Sequence, residues 1–160
     1  MKSTVKVKVG DVYNLDQAIG HLVSSTTMMS GGIVYGLNRT SKFCESILKP
    51  VNKKRFEEGK KHFKLNEAGT SFEMEVLSDE EKASGRMGLP KLLDGKEESV
   101  RKDFEKVMED LLSEEIDLDI YMISYKEWQT LQFNPQYNPL VSIIIDVLVE
   151  EPSDVELKKV

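Results

Sequence analysis

The sequence predicts an α+β fold: two long antiparallel helices plus short helices, packed on a small, mostly antiparallel sheet. Three observations carry this. Over residues 33–64 the apolar positions Ile33, Leu37, Thr40, Cys44, Ile47 and Val51 step by four, three, four, three and four, the spacing of one helical stripe. Over 97–113 a second helical pattern places Val100, Phe104, Val107, Met108, Leu111 and Leu112 on one face. Three short segments, 4–9, 71–77 and 115–123, instead alternate apolar and polar residues, as half-buried strands do. A helix as long as 33–64 needs a partner for its stripe, and the 97–113 helix is the candidate.

Composition sets outer bounds. The 160 residues are read as one domain over 1–151, with 78–96 as a mobile loop and a charged tail over 152–160. No apolar run approaches the roughly 20 residues that cross a bilayer. The opening MKSTVKVKVG has no apolar segment behind its charge, so a cytosolic protein is expected rather than a secreted one. One cysteine, Cys44, excludes a disulfide framework and a cysteine-based zinc site. A net charge of -6 disfavours generic nucleic-acid binding. That charge is divided: residues 49–64 hold seven bases against two acids, a net +5, while 97–119 hold ten acids against three bases, a net -7. Two complementary faces of an antiparallel helix pair account for this, as does a basic patch for an anionic partner.

Taken in order, TVKVKV at 4–9 reads as an edge strand guarded by lysines. Gly10-Asp11 reads as a turn, followed by a short helix over 14–24 with Asn14 as its cap and Leu15, Ile19, Leu22 and Val23 on one face. Residues 24–32, SSTTMMSGG, read as a loop with Met28 and Met29 dipping into the core. In the long helix the stripe passes Pro50 without losing phase, which favours a kink over a break. Gly59 weakens its second half, and Asn66, Gly69 and Thr70 end it. SFEMEVL at 71–77 is a second strand, and Ser78 with Glu81 makes a capping box at the head of the loop. EIDLDIYMI at 115–123 turns Ile116, Leu118 and Ile120 inward and Asp117 and Asp119 outward. Ser124 with Glu127 makes a second capping box, with Trp128 and Leu131 as buried anchors. Residues 134–139 have turn chemistry, with Asn138 capping and Pro139 in the first helical position. Over 140–150 three isoleucines favour a strand, but the Asn-Pro start and the length of the run favour a buried helix, and helix is the expectation.

No catalytic grouping emerges. His21 and His62 have no histidine or cysteine three or four residues on, so no metal site is expected and no cofactor is implied. Cys44 lies on the apolar stripe with no histidine placed to activate it. The pairs Asp117/Asp119 and Glu73/Glu75 could be acid–base carboxylates, yet any half-exposed strand shows that alternation. Two stretches could hold an anionic small molecule. One is the helix start at Gly31 and Gly32, which lacks the lysine and further glycines of a phosphate loop. The other is the basic patch Lys53, Lys54, Arg55, Lys60, Lys61 and Lys64, with Phe56 and Phe63 interleaved as stacking platforms or core anchors.

Four stretches together resemble a family of small proteins of unknown function from tailed-phage genomes. They are the opening strand with DVYNLDQAIGHL, the helix YGLNRTSKFCESILKPVNKKRFEEGKKHF with SFEMEVL, the passage FEKVMEDLLSEEIDLDIYMI, and SIIIDVLVEE. Pro50 and the long 78–96 segment depart from that pattern. The resemblance implies a viral accessory protein working in the cytoplasm of a bacterial host and brings no catalytic residues with it; with no catalytic grouping in the residues, a non-enzymatic role is expected. Three functions follow as expectations: binding a host protein such as a defence factor, a particle-assembly role as a homo-oligomer, or sequestration of an anionic small molecule. A membrane partner is not expected.

Overall fold

A computed structural model describes residues 1–25, 28–131 and 138–152 of the chain. The elements run β1 (Lys2–Lys8), α1 (Val9–Ser25), α2 (Gly31–Lys60), α3 (Asp79–Ala83), α4 (Ser99–Leu112), β2 (Glu115–Tyr121), α5 (Tyr125–Trp128) and α6 (Asn138–Leu148). The fold is α+β, with long helices and a two-stranded antiparallel sheet. Its contacts gather into two compact units, Met1–Pro50 with Leu112–Val160, and Val51–Leu111. The division falls at Pro50, inside α2, which runs through the proline as one helix. Among the described residues no helix is long and apolar enough to cross a membrane.

The first unit is built on the pairing of β1 with β2. Their register sets Lys8 opposite Glu115, Lys6 opposite Asp117 and Thr4 opposite Asp119, so a lysine strand faces an acidic strand. Opposite charges across a ladder stabilise each pair by about 0.2–1 kcal/mol. On the other face Val5, Val7, Ile116, Leu118 and Ile120 join the core. That core takes Ile33, Leu37, Cys44 and Leu48 from α2, and the side chains that cover them come from α1, β2, α5 and α6. The stripe is therefore buried by these elements and not by the helix expected as its partner.

Thr40 occupies a stripe position for a polar reason. Its hydroxyl accepts the Tyr121 backbone N–H at 2.9 Å, fully buried, where an unpaired N–H would cost about 1–3 kcal/mol. Gly36 allows the close approach: a Cβ there would stand 2.8 Å from Ile123 Cγ1.

Three local expectations change. The turn at Gly10-Asp11 is instead the first turn of α1, because β1 feeds straight into the helix and Asp11 accepts the Lys8 N–H at 3.2 Å. Asn14 lies inside that helix and does not cap it. Of the two loop methionines only Met29 packs on the core, Met28 being exposed. The isoleucine run forms a helix: α6 buries Val141, Ile144 and Leu148 at helical spacing, with Pro139 in its first turn. Most of the turn expected over 134–139 and most of the charged tail lie outside the described residues.

The second unit has few fully buried side chains. Phe63 meets Phe72 at 5.7 Å and Phe104 at 5.1 Å, and Phe56 meets Phe72 at 5.2 Å, between ring centroids. The strand expected over 71–77 is not part of a ladder. Three extended segments meet there through single antiparallel bridges, Phe63 with Leu92, Leu65 with Phe72 and Met74 with Pro90. Their backbone bonds close a ring: Lys64 N–H donates to Lys91, Lys91 to Glu73, and Glu73 to Lys64. Three straight strands cannot all be antiparallel to one another, so each pair meets at one bridge and no ladder grows. The expected loop after Ser78 holds the capping box, with Glu81 N–H on Ser78 Oγ at 3.2 Å. Arg101 ties that region to α4: it donates to the Pro90 carbonyl at 2.7 Å and lies 5.8 Å from the Phe63 ring centroid.

Candidate functional site

The helix start at Gly31 and Gly32 is met by the chain itself. Ser30 caps it, its carbonyl accepting the Val34 N–H at 3.1 Å and its hydroxyl the Ile33 N–H at 3.4 Å. A Cβ on Gly32 would overlap the Glu127 carboxylate, so the missing side chain is what lets that carboxylate reach the positive end of α2. Glu127 is held there by its own capping box, Ser124 Oγ donating to it at 3.2 Å. An internal anion stands where an external one was expected.

The basic stretch is partly paired. Lys60 bonds Glu57 at 2.8 Å, Lys61 bonds Glu58 at 2.7 Å and Lys64 bonds Asp94 at 3.0 Å. The Lys61 bond holds the Glu58 carboxyl below its ordinary value. Lys53 and Lys54 are exposed, and Arg55 is half-buried. Phe56 and Phe63 serve as core anchors, because both turn into the ring cluster around Phe72.

The candidate chemical groups are likewise engaged. Burial, aided by the negative charge of Asp16, pushes the Cys44 thiol up to about 12, so it packs as an uncharged thiol. Asp119 takes hydrogen bonds from Lys2 and Thr4, which hold its carboxyl below the ordinary range. A bond from Lys91 does the same for Glu73. Glu75 lies 3.4 Å from Arg86 and 3.6 Å from Arg101. Neither carboxylate pair is a free acid–base couple. His62 is half-buried between Phe63 and Phe104, and His21 is exposed. Among the described residues no three His, Cys, Asp or Glu side chains gather as a metal site.

A different surface stands out on the first half of α2. Tyr35, Arg39 and Phe43 follow one another at four-residue steps along it, the first two exposed and Phe43 half-buried against the core. The Arg39 guanidinium lies 6.0 Å from the Tyr35 ring centroid and 5.8 Å from that of Phe43. Tyr35 meets Tyr121 edge-on at 4.9 Å, and Lys2 reaches to 5.5 Å from Phe43. The sheet register brings Lys2 and Tyr121 together, since they are paired residues, and Thr40 and Gly36 set α2 beside them. Tyr35 remains 51% exposed although it is aromatic and well anchored. The four-step spacing was present in the sequence, but the strand residues that complete the surface could not be located without the register.

Comparison with known proteins finds no match: no family model, no curated protein and no solved structure matches the chain.

Proposed function

We propose that this chain is a non-enzymatic accessory protein of a bacterial virus that works in the host cytoplasm by binding a host protein. The observation that carries the reading is the Tyr35–Arg39–Phe43 face, extended by Tyr121 and Lys2. Tyrosine and arginine are the residue types that dominate binding energy at protein interfaces. Here they are held in a fixed stack on a helix rooted in the deeper of the two cores, so little side-chain freedom is lost on docking. The viral setting rests on the sequence resemblance alone. A non-enzymatic role accords with an unreactive thiol and with carboxylates already engaged by cations.

The test is affinity capture from extract of a bacterial host, comparing the wild type with Tyr35→Ala/Arg39→Ala and with Lys53→Glu/Lys54→Glu. A captured protein lost at least tenfold in the first variant and retained in the second supports the reading. Retention in the first and loss in the second would move the interface to the basic stretch.

A further inference from the structure

A cleft of about 230 Å³ opens in the first unit between the sheet and the helices α1 and α6. Its apolar lining comes from Leu15, Leu118, Ile143, Val7 and Val147. Its polar lining is Asp11, Asn14 and Asp146. Each helix supplies its share at the same spacing, Asp11, Asn14 and Leu15 on α1 and Ile143, Asp146 and Val147 on α6. Both aspartates are exposed and Val7, Ile143 and Val147 are half-buried, whereas Leu15 and Leu118 are closed to solvent, so the cleft offers carboxylates beside an apolar wall. The lining contains two carboxylates and no lysine or arginine.

This combination selects a class of ligand. A metal ion finds only two carboxylates, and among the described residues no three His, Cys, Asp or Glu side chains gather to hold one. An anion meets two negative charges. A neutral apolar molecule leaves the carboxylates unused. An ammonium group on a short apolar body uses both parts: the carboxylates for its charge and the apolar wall for its hydrocarbon. The volume equals roughly eight water molecules at their share of liquid volume, room for a chain of about six carbons or a single ring. Asp11 has one bond from the Lys8 N–H, and a carboxylate offers about four lone-pair sites, so it can still accept from an ammonium.

We infer that this cleft binds a small organic cation, its ammonium at the Asp11 and Asp146 carboxylates and its apolar body on Val7, Ile143 and Val147. The site is independent of the α2 surface and of the reading built on it.

The test uses the full chain and three probes of one length: hexylamine, hexanol and hexanoate, followed by backbone amide shifts in nuclear magnetic resonance titrations. Hexylamine is expected to shift amides of α1, β2 and α6 around the cleft, with at least tenfold tighter binding than hexanol and no response to hexanoate. Asp146→Asn is exposed and removes the charge without disturbing the fold. Asp11→Asn keeps an acceptor for the Lys8 N–H. Each is expected to weaken hexylamine about fivefold or more and to leave hexanol unchanged. Equal binding of amine and alcohol, shifts centred elsewhere, indifference to both substitutions, or no binding at millimolar amine would overturn the assignment. A lysine side chain carries the same chemistry. Tighter binding of a lysine blocked at both backbone ends than of hexylamine would assign the cleft to a partner protein's lysine and overturn the small-molecule reading.

Discussion

The two halves of α2 share one helix and differ in almost everything that surrounds them. Before Pro50 the helix has a deep inner face, with Ile33, Leu37 and Cys44 fully buried, and beside it a stack that runs from exposed Tyr35 and Arg39 to half-buried Phe43. After it, Val51 and Phe56 are only half-buried, and two of the lysines pair with glutamates one turn away. Of the buried apolar side chains among the described residues, only Phe63 and Met108 belong to the second unit. The contrast teaches that a charge run is not a site. Lysines on a half-buried helix end are exposed by default and find nearby carboxylates, and such pairs stabilise by about 0–1 kcal/mol. A cation held between two rings on a well-packed helix is a fixed feature of the surface.

The largest effects should come from the first half's inner face. Leu37→Ala removes a fully buried side chain and should cost about 3 kcal/mol, read as a lower urea midpoint. Cys44 provides an independent readout, since it is the only cysteine and is buried: a thiol reagent should label it only when the first unit opens. Phe63→Ala, in the second unit, should instead raise amide exchange across 62–75 and 89–104 while leaving Cys44 protected. If both substitutions accelerate Cys44 labelling equally, the two units open together and the contrast fails.

Gly32→Ala comes next. The added methyl would collide with the Glu127 carboxylate, and a loss of about 1–2 kcal/mol is expected, comparable to losing a helix cap. Adding Glu127→Ala should recover part of it by removing the clash. No recovery would mean that Gly32 matters for another reason.

Lys6→Glu should act more weakly. It sets like charges opposite each other with Asp117 and should lower stability by about 0.5–1 kcal/mol, less at high salt.

The smallest effect concerns Asp119. Its native carboxyl is held below the ordinary value, first by Lys2 and then by Thr4. The stability linked to it is thus present above about pH 4 and fades as pH falls through the depressed native value. Thr4→Val should move the carboxyl titration of Asp119 upward, observed by carbon-detected nuclear magnetic resonance. An unmoved titration would mean that Lys2 alone holds it.

Much of the architecture was legible because periodicity reports which face is buried. The stripe on α2, the inward Ile116, Leu118 and Ile120, both capping boxes and the helix over 138–148 all follow from local spacing. What could not be read was which partner covers each face. A helical stripe says that something apolar lies opposite, and any of several apolar faces satisfies it; here α1, β2, α5 and α6 do. The charge match of β1 with β2 was open to reading, since three outward lysines and a threonine-containing strand suit an outward acidic strand, but only the register makes it specific. The alternation at 71–77 misled because it reports exposure on one side, whereas ladder formation depends on parity among neighbours. The Gly31-Gly32 start was placed in the right element, yet Glu127 reaches it from far along the chain.

Which half of α2 meets a partner decides the functional account. A photo-reactive benzoylphenylalanine placed at Tyr35, or separately at Lys53, should be irradiated in extract of a bacterial host. The account predicts a discrete crosslinked protein from position 35 that disappears with Arg39→Ala, and no such product from position 53. A product from position 53 alone, or one from position 35 that survives Arg39→Ala, would contradict it.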